Sequence, residues 1–147
     1  MQLWAKQVEV RNKHMEINHL KLPVILEESL TRQLFPLTTV QTNRLATLLT
    51  ATETALPKLF DLEGIRDANH FWSSPHVEHY IGADSEIYKP GKIDPNKTII
   101  VGQAEPDSPI ALDYRVCPPR VVYFGDEGYW IELAPNYDSL IVAITAN

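Results

Sequence analysis

Cysteine is almost missing from this chain. Cys117 stands alone in 147 residues, which rules out an internal disulfide and leaves nothing that points to export. Long apolar runs are missing too, since none reaches the roughly 20 residues that a membrane helix needs. The opening Met1-Gln-Leu-Trp-Ala-Lys6 lacks the basic-then-apolar layout of a signal peptide, so a cytoplasmic protein is expected. Glycine is scarce, with six scattered residues. They form neither a Gly-rich phosphate loop nor a Gly-x-Ser-x-Gly nucleophile elbow. An excess of positive charge is absent as well. The net charge of −6 is opposite to what a nucleic-acid binder needs to neutralise phosphates.

What is present suits one soluble globular domain: 44% hydrophobic and 22% charged residues, in a chain long enough to bury a core. The charge is unevenly placed. Residues 1–77 carry eight acids and eight bases, which cancel, whereas residues 78–147 carry eleven acids against five bases. An acidic half attracts a basic protein partner and speeds its encounter; the plain alternative is that the acids keep a small domain soluble.

The segment from Thr98 to Ile144 organises the rest. Thr98–Gln103, Ser108–Arg115, Arg120–Gly125 and Tyr129–Ala134 are short, β-branched or aromatic, and separated by Gly, Pro and Asp, as strands of a meander should be. From Asn136 the period changes. Tyr137, Leu140, Ile141 and Ile144 fall at helical spacing with Pro135 near the start. Side-chain alternation puts Ile110, Leu112 and Tyr114 on one side of the sheet and Ala111, Asp113 and Arg115 on the other.

Earlier in the chain, Leu3, Trp4, Val8, Met15 and Leu22 predict an imperfect helix over residues 2–22, with a hairpin pairing Val8 and Val10 to Met15 and Ile17 as the alternative. Pro23 sits where a helix starts, Ile25, Leu26, Leu30 and Leu34 make a core stripe, and Pro36 ends it. Thr38 and Gln41 have capping-box spacing for a second helix, with Val40, Leu45, Leu48 and Leu49 as its apolar face. Its Thr-rich end, Thr47–Thr54, predicts fraying before Pro57. A short buried piece is expected around Gly64. From Asn69 to Asn96 the turn residues predict a long connection, with a strand near Glu86–Tyr88. Such loops are often functional.

That connection holds His70, His76 and His79 beside Glu78 and Asp84, the side chains that zinc or iron sites use. The spacing is loose, and it is not the His-Glu-x-x-His pattern. No metal or other cofactor is expected, and a small metal-dependent hydrolase is the alternative. Cys117 would need a basic partner to act as a nucleophile, so a small buried or half-buried thiol is expected instead. Glu105 and Asp107 flank Pro106 on a surface turn, where a solvated pair makes a poor acid–base couple. Asp126 and Glu127 lie between Gly125 and Gly128 in a second turn. These four acids are the candidate partner contacts. Trp72, Tyr80 and Tyr88 either pin the loops or offer a binding surface. Trp72 and Tyr88 join the partner-binding candidates, because exposed Trp and Tyr anchor interfaces.

Ser108-Pro-Ile-Ala-Leu-Asp113, Pro119-Arg-Val-Val122, the aromatic strand around Tyr129-Trp130 and Ala134-Pro-Asn-Tyr-Asp-Ser-Leu-Ile141 together resemble the C-terminal half of the SUKH superfamily. That superfamily includes the fungal cell-wall-assembly regulator and bacterial immunity proteins that neutralise polymorphic toxins. Leu22-Pro23 before an amphipathic helix is similar to its N-terminal element. The chain departs from the family at Thr47–Thr54, where an asparagine-glycine-glycine turn is common. The resemblance implies a non-enzymatic binding protein, an immunity protein acting on a cognate toxin, with no catalytic residue carried over. A scaffolding module in a regulatory assembly is a further alternative. The expected fold is α+β: two or three N-terminal helices, an antiparallel sheet of four to six strands, and a C-terminal helix packed on it.

Overall fold

The computed structural model describes residues 15–32, 35–49, 56–72 and 75–146, with backbone only at 75 and 76. It has the expected α+β fold. A two-stranded hairpin, β1 (Glu16–Ile17) and β2 (Leu20–Lys21), is followed by helices α1 (Val24–Thr31) and α2 (Thr39–Leu48). After them come β3 (Lys58–Leu59), α3 (Leu62–Trp72), a 3-10 segment at Pro75–Tyr80 and β4 (Pro90–Gly91). The meander then runs through β5 (Thr98–Glu105), β6 (Ser108–Asp113), β7 (Arg120–Phe124) and β8 (Trp130–Ala134) into α4 (Tyr137–Thr145). The large sheet has six strands in the order β3-β5-β6-β7-β8-β4, every pair antiparallel.

The hairpin corrects the helix expected over residues 2–22, as far as residues 15–22 are concerned; Val8 and Val10 lie outside the described residues. Asn18 and His19 both take positive φ, 54° and 66°, as the two central residues of a type I′ turn must. Met15 N–H donates to Glu27 Oε1 at 2.6 Å, and the Tyr114 hydroxyl donates to the Lys21 carbonyl. These bonds tie the hairpin to α1 and to the end of β6.

Helix α1 begins after Pro23 and buries Leu26 and Leu30, with Ile25 half-buried. Leu34 of the expected stripe lies outside the described residues. The capping box of α2 is present: Gln41 N–H donates to Thr38 Oγ1 at 3.2 Å, and Thr38 N–H to Gln41 Oε1 at 3.0 Å. Its apolar face is narrower than expected. Leu45 and the C-cap residue Leu49 are buried, but Val40 and Leu48 face outward. Arg44 Nη1 donates to the Ile144 carbonyl at 3.2 Å, joining α2 to α4.

Helix α3 corrects the short buried piece expected around Gly64. Asp61 Oδ1 accepts from Gly64 N–H at 2.8 Å and starts the helix. Ile65, Asn69 and Trp72 then fall on its buried side. Gly64 is needed for packing, since a Cβ there would lie 2.9 Å from the Phe60 Cβ. Gly102 does the same for the sheet. A Cβ there would come within 2.5 Å of the Lys58 carbonyl oxygen, so glycine lets β3 approach β5 at a register shift. The strand expected near Glu86–Tyr88 forms later, at Pro90–Gly91, where the chain pairs with Ile131 and Trp130 of β8.

Both faces of the sheet are covered, and the alternation along β6 decides which residues meet which layer. Ile110 and Leu112 join Ile99, Val101 and Val121 in the core beneath α1, α2 and α4, with Tyr114 packed against it. Ala111 belongs with Ile100, Val122 and Trp130 in a second core closed by Trp72 and Ile93. At the edge of β5, Asn69 links α3 to the sheet. Its Oδ1 accepts from Ile100 N–H at 2.8 Å, while its Nδ2 donates to the carbonyls of Ile100 at 2.8 Å and Ile65 at 2.7 Å.

The other buried polar device is Asp113, whose side chain is fully buried. It accepts from Arg115 Nε and Nη2, both at 3.0 Å, and from Arg120 Nε at 2.8 Å. Burial opposes ionisation of this carboxyl, but the hydrogen bonds and charge of the two arginines outweigh it and hold its pKa below the ordinary 3.8.

Two expectations follow. Asn69→Ala leaves the Ile100 N–H and C=O unpaired inside the protein, and at about 1–3 kcal/mol for each such group it should destabilise the fold by about 3 kcal/mol. Urea unfolding measures this, and a change under about 0.5 kcal/mol would show that water replaces the carboxamide. Asp113→Asn should cost about 3 kcal/mol at neutral pH, at the low end for a broken buried pair because both arginines keep some contact with water. Because the folded-state pKa is depressed, the stabilisation is complete above 3.8 and is lost as pH falls through and below that value. The gap between wild type and variant should therefore narrow over that acidic range and stay constant above it.

Candidate functional site

At one end of the sheet the β5–β6 and β7–β8 turns stand side by side. The first is the tight turn Pro106-Asp107, closed by the Glu105–Ser108 pair. The second runs from Gly125 to Tyr129, closed by Gly125 N–H donating to the Tyr129 carbonyl at 2.9 Å. Between them and the end of α2 lies a groove of about 390 Å³. Its walls carry Glu105, Asp126 and Glu127 together with Tyr88, Tyr123 and Tyr129, and its apolar surface comes from Leu49, Ala104 and Ile131. Among the described residues lining it there is no Lys, Arg or His.

Tyr88 reaches the groove through a chain of local contacts. Ser85 Oγ accepts from the N–H groups of Ile87 and Tyr88 at 3.1 and 3.0 Å, which curls the preceding loop. Glu132 N–H donates to the Lys89 carbonyl at 2.8 Å, and Pro90 pairs with Ile131, so the loop is fastened to the edge of β8. The Tyr88 ring then stacks on Tyr129, with centroids 5.4 Å apart and planes 23° from parallel. A hydrogen bond to the Glu127 carboxylate, followed by the repulsion of its charge, raises the pKa of the Tyr88 hydroxyl.

Four of the six residues expected to meet a partner, Glu105, Asp126, Glu127 and Tyr88, therefore line one groove. Asp107 is exposed on the β5–β6 turn but does not line it. Trp72 is the exception that needs correcting. Its exposure is 4%, and its ring packs edge-on against Trp130 at 6.1 Å and beside Tyr80 at 6.3 Å. Its indole N–H is buried without a hydrogen-bond partner, so its contribution is packing rather than presentation. Tyr80 likewise pins its loop, because its carbonyl accepts from Trp130 Nε1 at 2.6 Å.

Sequence reasoning missed Tyr123, Tyr129 and Leu49. A signal for the tyrosines existed, since each precedes or follows a buried residue, Trp130 or Val122, and alternation turns it to the opposite face. Cys117 also differs from expectation. It is exposed, because β6 stops at Asp113 and residues 114–119 loop away from the sheet.

The described residues of the histidine-bearing stretch form no cluster. His70 sits in the last turn of α3, His79 is exposed on the 3-10 segment, and Asp84 pairs with Lys92 at 3.4 Å. Among the described residues, no three His, Cys, Asp or Glu side chains converge closely enough for a metal ion. No described helix is long and apolar enough to cross a membrane. No protein-family model matches this chain, and no curated protein or solved structure matches it significantly.

Elemental analysis of the protein purified without chelator should find no stoichiometric zinc, iron or manganese. One metal per chain that disappears in His76→Ala/His79→Ala would move catalysis to the 70–84 segment.

Proposed function

We propose that this chain is a non-enzymatic protein-binding domain, an immunity protein of the SUKH kind that neutralises a basic toxin domain by direct contact. The observation that carries this reading is the groove at the turn end of the sheet. There, three carboxylates and three tyrosines share one concave surface, with no Lys, Arg or His among the described residues that line it. Tyrosines are favoured interface anchors, being large, rigid and able to hydrogen-bond. Carboxylates on turns steer an oppositely charged partner and raise its association rate.

The distribution of charge supports the same reading. Arg115 and Arg120, two of the five bases in residues 78–147, are paired with Asp113. They lie at the β6–β7 end of the sheet, away from the acids of the groove. The resemblance at Ser108–Asp113 and Tyr129–Ile141 supplies the biological class, and the groove supplies the chemistry.

Association kinetics with the toxin domain encoded beside this chain test the proposal. The on-rate should fall as salt rises, because exposed charges more than a Debye length apart are screened. Changing Glu105, Asp107, Asp126 and Glu127 together to lysine should slow association about tenfold or more. Reversing Glu28 and Glu63, exposed acids of the balanced half, is the control and should change it little. Equal and small effects would leave these acids a role in solubility only.

A further inference from the structure

We infer that the groove is a receptor for one arginine side chain of the partner, its guanidinium against the tyrosine wall and paired with the carboxylates of Glu105, Asp126 and Glu127. This rests on the binding function proposed above and names the chemical group that the groove takes.

The size of the groove comes first. At about 390 Å³ it lies near the low end of the roughly 300–1,000 Å³ spanned by small-ligand sites. It suits a side chain better than a helix. Its charge comes second, because a groove with acids at two turns and no base among its described lining residues calls for a cation.

The kind of cation follows from how the acids are spread. No three of them converge closely enough for a metal ion among the described residues. They stand around a concave surface instead, where a larger cation with several donors can meet more than one carboxylate. A guanidinium is planar and weakly hydrated, and it presents five N–H donors in a fixed fork that matches carboxylates. It also stacks on aromatic faces. An ammonium is compact and strongly hydrated, and it lacks the planar fork that spreads donors between carboxylates. Ala104 and Ile131 provide apolar wall for the aliphatic stem. Glu127 stands beside the Tyr88 hydroxyl, whose pKa it raises, and a carboxylate has lone pairs for several donors.

Backbone-amide NMR titration of the whole chain with N-acetylarginine methylamide tests this. Saturable shifts are expected at Gly125, Asp126 and Tyr129, with millimolar affinity. N-acetyllysine methylamide should bind at least about threefold more weakly, the scale of one exposed cation–aromatic contact. The uncharged isostere N-acetylcitrulline methylamide should give no saturable shift. The triple variant Glu105→Gln/Asp126→Asn/Glu127→Gln should lose the arginine effect while keeping a dispersed spectrum. Should that variant unfold, Glu127→Gln alone should weaken binding about threefold or more.

Lysine binding as tightly as arginine, or shifts that persist in a folded triple variant, would overturn the inference. This test and the kinetic one fail separately. A toxin domain that binds the triple variant undiminished removes the groove as its arginine receptor and leaves the immunity reading standing. Saturable arginine binding without any toxin binding keeps the groove and overturns the immunity reading.

Discussion

The carboxamide of Asn69 does the work of a missing strand. At Ile100 the edge of β5 offers a donor and an acceptor that no neighbouring strand takes, and Asn69 meets both at 2.8 Å. Leaving two such groups unpaired in the interior would be costly, so this bond pair fixes where α3 lies along the sheet. Much of the second layer depends on that placement. Three residues further along α3, Trp72 is delivered over Ile100 and Trp130 to close the smaller core. Trp130 in turn donates to the Tyr80 carbonyl, which holds the 3-10 segment down. From there the chain bridges Gly82 to Lys92 and pairs Pro90 with β8. Tyr88 reaches Tyr129 because that path is fixed. The groove is thus anchored, through the loop, to a buried asparagine on the opposite edge of the sheet.

The two ends of the sheet are treated differently. At one end Asp113 is sealed inside and neutralised by Arg115 and Arg120, and Arg115 also donates to the Lys92 carbonyl at 2.7 Å. A buried pair of this kind fixes geometry more reliably than it adds net stability, because desolvation offsets most of the Coulomb attraction. It ties β6, β7 and the segment leading to β5 at a single point. At the other end the carboxylates face outward from tight turns, and the nearest aromatic rings are half-buried rather than sealed.

Much of the fold was legible in the sequence. Strands β5 to β8 were, because turn residues bracket short β-branched runs, and the capping box at Thr38–Gln41 marked the start of α2. Helix α3 was not, because Gly64 reads as a break, although here it makes room for Phe60. The signal was Asp61 followed by Ile65, Ala68, Asn69 and Trp72 at helical spacing. The hairpin at Glu16–Lys21 was hidden by the turn pair Asn18-His19, which lacks the glycine usual in such turns. Turn chemistry also placed Asp107, Asp126 and Glu127 correctly on loops, while Glu105 proved to be the last residue of β5. What it could not supply was company for them. Trp72 and Tyr88 look alike as aromatic residues in a turn-rich stretch, yet one closes a core and the other lines a groove. The difference arises from the pairing of β4 with β8, a contact between residues about 40 apart.

That long-range origin bears on how the groove can bind. Its rings and carboxylates hang from strand ends and from a turn closed by its own hydrogen bonds, so little ordering remains to be done when a partner arrives. Association then loses less free energy to immobilising loops, and a small contact area can still give specific recognition. If the groove binds as proposed, the acids beyond the rim, such as Asp107, would act at longer range, where salt screens them and where charge governs the rate of encounter. The carboxylates inside the groove would act at contact, beside aromatic walls that exclude part of the water and strengthen each charge–charge interaction. On the proposed binding function, one surface would therefore separate into a part that sets how fast a basic partner is met and a part that sets which basic group is kept.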